Sequence, residues 1–221
     1  MAALISRYVI AMAATVLLVA PAARAQDPPP RIPLIALDLH GTMPFFPIDD
    51  ELAASRNLRP AELPGTGLGL HGALTFYPLK WKAVTFGIGA DAAVGRSHKG
   101  AGTIGGTDVP LRAVTETFAH IAPEISFNFG TGDGWSYISG GIGPSVWSIT
   151  PDDGVALAAD SERLKTINYG GGARWFIKPH LAFSLDLRFY AINPSSPDPV
   201  QGLPAGPRTR LVVIGAGISL K

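Results

Sequence analysis

Between residues 34 and 220, apolar residues alternate with small or polar ones in eight separate stretches. A strand points successive side chains to opposite faces, so each stretch predicts a strand with two different faces. The seventh is the clearest: Leu181, Phe183, Leu185, Leu187 and Phe189 oppose Ala182, Ser184, Asp186, Arg188 and Tyr190. The eight expected strands cover about 34–43, 67–77, 83–94, 113–129, 135–147, 165–177, 181–191 and 209–220. The segments between them, 44–66, 78–82, 95–112, 130–134, 148–164, 178–180 and 192–208, run long, short, long, short. Short turns at one end and long loops at the other are the plan of an up-and-down barrel with periplasmic turns and extracellular loops. The expected fold class is therefore all-β, an eight-stranded antiparallel transmembrane β-barrel.

Alternation alone does not say which face is outside, because a soluble lipocalin-like barrel reverses the arrangement. Lysine discriminates. Lys80, Lys82, Lys99, Lys165, Lys178 and Lys221 fall at strand ends or in connections, and none covers a strand face. The polar face is built mostly of Gly, Ala, Ser and Thr, with a few Asp, Glu, His and Arg. That composition suits a narrow, crowded interior, which leaves the Leu/Ile/Phe face to meet lipid. Aromatics gather beside the short segments. Phe76, Tyr77 and Trp81, then Phe127, Phe129 and Trp135, then Trp175 and Phe176 are expected to form the periplasmic girdle at headgroup level. Phe45, Phe46, Trp147 and Phe189 would mark the outer interface. Pro123 and Pro144 fall inside strands, each removing a ladder donor, and predict local bulges.

The start of the chain reads as a secretory signal peptide over 1–25. It has a basic Arg7, an apolar run from Val9 to Ala20, and a small-x-small site at Ala23-Arg24-Ala25. A short Pro-rich lead-in follows over 26–33, and the barrel domain takes 34–221. There is no cysteine, which excludes disulfides and thiolate metal sites. Without Arg7 and Arg24 the mature chain carries 18 − 2 = 16 basic residues against 17 acidic ones, giving no sign of a nucleic-acid surface.

Gly140-Gly141-Ile142-Gly143-Pro144-Ser145, Tyr169-Gly170-Gly171-Gly172-Ala173-Arg174-Trp175-Phe176 and Leu185-Asp186-Leu187-Arg188-Phe189-Tyr190 carry a family resemblance. The chain resembles the OmpA-type small outer-membrane barrels, in particular the outer-membrane protein beta-barrel domain family, over about 31–221. Such motifs specify a fold and not an activity. The resemblance implies residence in the outer membrane of a Gram-negative-type bacterium, contact with outer-membrane lipid and lipopolysaccharide, passage through the barrel-assembly machinery, and a monomer. Members of the family act as structural anchors, adhesins, immune-evasion proteins and narrow channels.

Candidate chemistry lies on the inward face. Asp38, Asp91, Glu124 and Asp186 can meet Arg174 and Arg188, while His40, His71 and His120 share that side. A charge in a confined interior is costly unless paired, and Arg–carboxylate forks pair it well. These nine residues are expected to plug the lumen as a polar network. The three histidines have no metal-ligand spacing, and no metal or cofactor is expected. Gly67-Leu68-Gly69-Leu70-His71-Gly72 matches a dinucleotide fingerprint as a string but lies within a strand, with no helix after it. Ser97 and His98, with Asp108 nearby, sit in a glycine-rich loop that is a poor base for positioned catalysis. The acidic groups Asp49-Asp50-Glu51 and Asp152-Asp153-Gly154, with Asp160 and Glu162, read as solvated loop tips, with recruitment of divalent cations beside lipopolysaccharide as the alternative. The expected role is a non-enzymatic anchor or surface-interaction barrel. A narrow passive channel is the alternative, and a lipid A-modifying enzyme or soluble lipocalin-like binder stands further back.

Overall fold

The computed structural model describes residues 30–104 and 108–221. The expected signal peptide and the first half of the lead-in lie outside the described residues. Among the described residues, ten strands and one α-helix follow in order: β1 (Ile35–Phe45), α1 (Asp50–Ala54), β2 (Leu68–Trp81), β3 (Val84–Lys99), β4 (Gly102–Thr103), β5 (Pro110–Leu111), β6 (Val114–Thr131), β7 (Gly134–Pro151), β8 (Leu164–Lys178), β9 (Leu181–Ile192) and β10 (Thr209–Leu220). The eight long strands close into one antiparallel barrel, each beside its neighbour in sequence, with β1 sealing against β10. β4 and β5 form a separate two-stranded tip in the second long loop.

Registers show how the cylinder closes. From His40 through His71, Ala93, His120 and Ser145 the row reaches Leu164 on β8. In the other direction, through Gly217 and Ser184, it reaches Arg174 on the same strand. The stagger is 174 − 164 = 10 residues. A stagger of this size tilts the strands by about 40° and leaves an interior that side chains fill. β3 and β7 run further toward the loops than alternation predicts, with rungs as far out as Lys99↔Val114 and Val114↔Pro151. The expected bulges at Pro123 and Pro144 do not form. The β6–β7 ladder stops between His120↔Ser145 and Glu124↔Gly141 and resumes in the same register. Both prolines fall in this one unpaired stretch, so neither strand needs an extra residue. Register shifts occur instead around Pro78, between Phe76 and Leu79, and between Phe176 and Lys178.

On β1, exposed and buried residues alternate without a break. Ile35, Leu37, Leu39 and Met43 face out, and Ala36, Asp38, His40 and Thr42 face in. The other long strands keep the sense, with Leu70, Ile88, Ile121, Ile138 and Leu187 outside. Fully burying such a side chain is worth about 1.5–3 kcal/mol against leaving it in water, so an apolar wall this extensive is stable only against lipid. Closure serves the same end, because lipid tolerates no sheet edge. The barrel is a membrane-spanning one.

Candidate functional site: the filled lumen

From the short-turn end upward, the lumen is a stack of layers. The floor is Ala36, Tyr77 and Trp135, with Ile32 and Phe176 packed against them. Phe176, stacked on Trp135, therefore leaves the girdle expected of it, and so do Tyr77 and Trp135. Tyr77 and Trp135 are 5% and 3% exposed and point inward, while Phe76, Trp81, Phe127, Phe129 and Trp175 face out. Parity explains the difference. Tyr77 follows the outward Phe76, and Trp135 shares its face with the inward Tyr137. Phe46 and Trp147 are likewise buried, leaving Phe45 and a Tyr169–Phe189 ring stack on the outer wall.

Above the floor, Arg174 forks onto Asp38. Its Nε donates to Oδ1 at 2.8 Å and its Nη2 to Oδ2, and Ser219 Oγ also donates to Asp38. The guanidinium lies over the Tyr137 ring, 4.0 Å from its centroid. The Tyr137 hydroxyl then donates to Asp186, joining this layer to the next. There Arg188 Nε donates to Asp186 Oδ1 at 2.9 Å, and both Nη groups donate to Glu124. All six residues of the two ion-pair layers, Tyr137 included, are at least nine-tenths buried. Glycine makes room for them: a Cβ on Gly172 would stand 2.7 Å from the Tyr137 hydroxyl oxygen.

The histidines lie in the same part of the lumen. His40 Nε2 is 2.7 Å from Ser184 Oγ, and His40 Nδ1 is 3.2 Å from His71 Nδ1, with the two rings stacked. His71 Nε2 is 3.6 Å from Asp91, which meets no arginine and accepts from Asn168 at 2.8 Å. His120 packs between Phe118 and Tyr190 instead of joining that chain. Among the described residues no His/Cys/Asp/Glu group has the geometry to hold a metal.

The loop end is different in kind. Phe118, Trp147, Ile149, Tyr190, Ile192, Leu211 and Val213 fill the mouth from the strands, and Phe46, Leu52, Ala53, Leu58 and Leu63 close over them from the first loop. Asp49 caps α1, accepting from the N–H groups of Glu51 and Leu52 at 2.9 and 3.0 Å, and Asp50 and Glu51 stand in its first turn. Carboxylates there complement the helix N-terminus. Buried polar groups tie the cap down. Arg56 pairs with Asp160 at 3.3 Å, and Asp160 also accepts from the N–H groups of Ile149 and Leu157. Trp147 Nε1 donates to Glu116 at 2.8 Å, and Glu62 accepts from the N–H groups of Arg59 and Arg112 at 2.7 and 2.9 Å. Ser97 donates to Thr66 O, whereas His98, the next residue along β3, contacts Thr115 on the other side.

Sequence reasoning missed Tyr137, Ser184, Asn168 and Ser219 as members of the network, although their parity with Ser139, Asp186, Arg174 and Gly217 places them all inside. It also missed Arg56, Glu62 and Glu116, and the structure corrects two assignments: Asp160, expected at a solvated loop tip, and Trp147, expected at the outer interface, are both buried. Leu52, Leu58 and Leu63 inside a polar loop were the signal that the first loop has a core of its own.

No protein-family model matches the chain, and no curated protein matches it. Solved structures do. Neisserial surface protein A is 10% identical with a TM-score of 0.54, covering 85% of this chain and 96% of its own. Ail, the attachment invasion locus protein of Yersinia pestis, solved with the heparin analogue sucrose octasulfate, is 12% identical with a TM-score of 0.46, over 84% of this chain and 96% of its own. The outer-membrane protein OprG from Pseudomonas aeruginosa is 11% identical with a TM-score of 0.47, over 88% and 98%. At these identities the likeness is one of fold: the chain has the fold of the small eight-stranded outer-membrane β-barrels.

Proposed function

We propose that the mature protein is a closed, non-enzymatic anchor in the outer membrane that presents four knitted loops to the cell exterior. One observation carries this reading: the lumen is filled along its length. Trp135 and Tyr77 form a floor, two arginine–carboxylate layers fill the middle, and the first loop caps the mouth with Leu52, Leu58 and Leu63. The loops are bound to one another as well as to the barrel. Arg56 reaches Asp160, Arg112 reaches Glu62, and Ser196 binds Glu162 through both its N–H and its hydroxyl at 2.8 Å. Such cross-ties suit a surface held in one shape for recognition by another molecule.

The second reading is a narrow cation path. It is favoured by the charge inside, where Asp38, Asp91, Glu124 and Asp186 face Arg174 and Arg188. Planar-bilayer recording separates the two. Protein shown to be folded by heat-modifiable gel migration is expected to give no stable unitary conductance, and cation-selective steps would overturn the closed-anchor reading. The orientation has its own test. The chain has no native cysteine, so Gln201→Cys in the last long loop is a single labelling site. A membrane-impermeant maleimide is expected to label it on intact cells.

A further inference from the structure

The lipid-facing wall is not uniformly bulky. Across β2, β3 and β6 the outward positions Gly72, Ala92 and Ala119 are small, and Gly72 and Ala92 are direct register partners. They floor a groove of about 460 Å³ whose flanks include Leu70, Ile121 and Val146. That volume lies in the range of about 300–1,000 Å³ typical of small-molecule sites. Its lining is mostly apolar; the polar side chains in it are the buried His71, His120 and Ser145 beneath the floor and, at the loop end, the exposed Arg163, immediately before β8. Two more cations stand beside it. Lys165 is the register partner of Pro144, which lines the groove, and Arg96 lies two residues beyond the lining Val94 on the same face of β3. All three are exposed and, among the described residues, take part in no ion pair or side-chain hydrogen bond. Beside Arg96 the outward positions become hydroxylic: Thr117 is its register partner on β6, and Ser148 is the partner of Thr117 on β7.

We propose that this groove is the seat of one phosphate-bearing acyl lipid of the outer leaflet. An acyl chain lies along Gly72, Ala92 and Ala119, and the phosphate is held by Arg96, Arg163 and Lys165. The inference rests on the lipid-facing reading of the wall. An indentation there is filled by hydrocarbon in any case; the unpartnered cations at its loop end decide which lipid fills it. Guanidinium groups fork onto phosphate oxygens, and an ammonium adds a point charge. Long basic side chains also reach headgroup level while their stems stay on apolar surface.

The test is native mass spectrometry of the full mature barrel, released from detergent after incubation with dipalmitoyl phosphatidic acid or with dipalmitoylglycerol, the same chains without phosphate. The folded protein is expected to retain one phosphatidic acid, about tenfold more than the diacylglycerol, as one forked ionic contact implies. Ala92→Leu with Ala119→Leu fills the floor and is expected to abolish retention of both. Arg96→Gln with Arg163→Gln and Lys165→Gln is expected to bring phosphatidic acid down to the diacylglycerol level. Equal retention of the two lipids, undiminished retention by the filled variant, or a dimer of the unaltered protein that the filled variant loses would each overturn the proposal. Heat-modifiable migration certifies that each variant is folded. If the filled variant fails to fold, the preference of the unaltered protein and the glutamine variant still decide. Recovery of the unaltered protein in a soluble periplasmic fraction would instead reject the lipid-facing wall itself.

Discussion

The two halves of the lumen solve the same packing problem with opposite chemistry. At the turn end, Asp38–Arg174 and Glu124–Arg188–Asp186 fill the barrel with charge. At the loop end, Phe118, Trp147, Ile149 and Tyr190 fill it with hydrocarbon and aromatic rings, closed by the first loop. The outer wall explains the division. Around the charged half the wall is apolar and lipid-facing, so a greasy interior there would leave both faces of each strand alike. Charges inside make any one-residue slip intolerable, because a slip exchanges the faces and sends Asp or Arg into lipid. On β3, β6 and β7 the outward positions near the mouth are Arg96, Thr117 and Ser148, so on that side the inside can be built like the core of a soluble domain. Register is enforced where the membrane makes errors costly, and adaptable packing is used where the loops must be held.

The largest effect that would sharpen this contrast comes from Arg188. Replacing it with Met leaves Glu124 and Asp186 buried without their guanidinium. Breaking such a buried pair costs about 3–5 kcal/mol. The urea midpoint in lipid vesicles, followed by tryptophan fluorescence, should fall accordingly. Adding Glu124→Gln and Asp186→Asn should restore more than half of the loss, since the penalty is the stranded charge and not the missing contact. A triple variant no better than the single one would mean that Arg188 contributes by shape.

Residue parity makes the charged half legible in the sequence itself. The lipid wall admits almost no exceptions outside, so Asp38, Arg174, Asp186 and Arg188 announce themselves as inward. What parity does not contain is height, and so the partner assignments, Arg174 with Asp38 and Arg188 with Glu124, emerge only from the ten-residue stagger. Trp135 and Tyr77 show a different limit. Both stand beside short turns, where an aromatic reads as a membrane anchor, and only strict alternation from Tyr137 and Phe76 turns them into the floor. The cap was the least legible part. Arg56 and Asp160 lie in different loops, and nothing local in either segment indicates the other.

A cavity in the apolar half should be a smaller and more local break. Leu63, on the first loop, is fully buried in the cap. Leu63→Ala is expected to cost about 2–5 kcal/mol within that cluster. Because the turn-end network shares no partners with it, the loss should appear as faster amide exchange over 50–63, with the amides around Asp38 and Arg174 unchanged. Equal acceleration in both halves would mean that mouth and lower lumen open as one unit, and the division drawn between them would fail.

The smallest effect is an acid one, read in the cap. Burial pushes the Glu62 carboxyl up, but the backbone N–H groups of Arg112 and Arg59, with the Arg112 guanidinium, outweigh it and hold the group below its ordinary value of 4.5. A lowered folded value means that Glu62 favours the folded cap fully above the unfolded value. That contribution is lost as pH falls through the folded one. In solution NMR of the barrel in micelles, the Arg59 and Arg112 amide signals should titrate together with a midpoint below 4.5, since both donate to Glu62. Amide exchange over 50–63, corrected for its intrinsic pH dependence, should quicken over the same interval. Glu62→Gln should remove the titration and leave exchange in the cap independent of acid. A midpoint at or above 4.5 would mean that burial outweighs the three donors and that the first loop is held chiefly by its leucines.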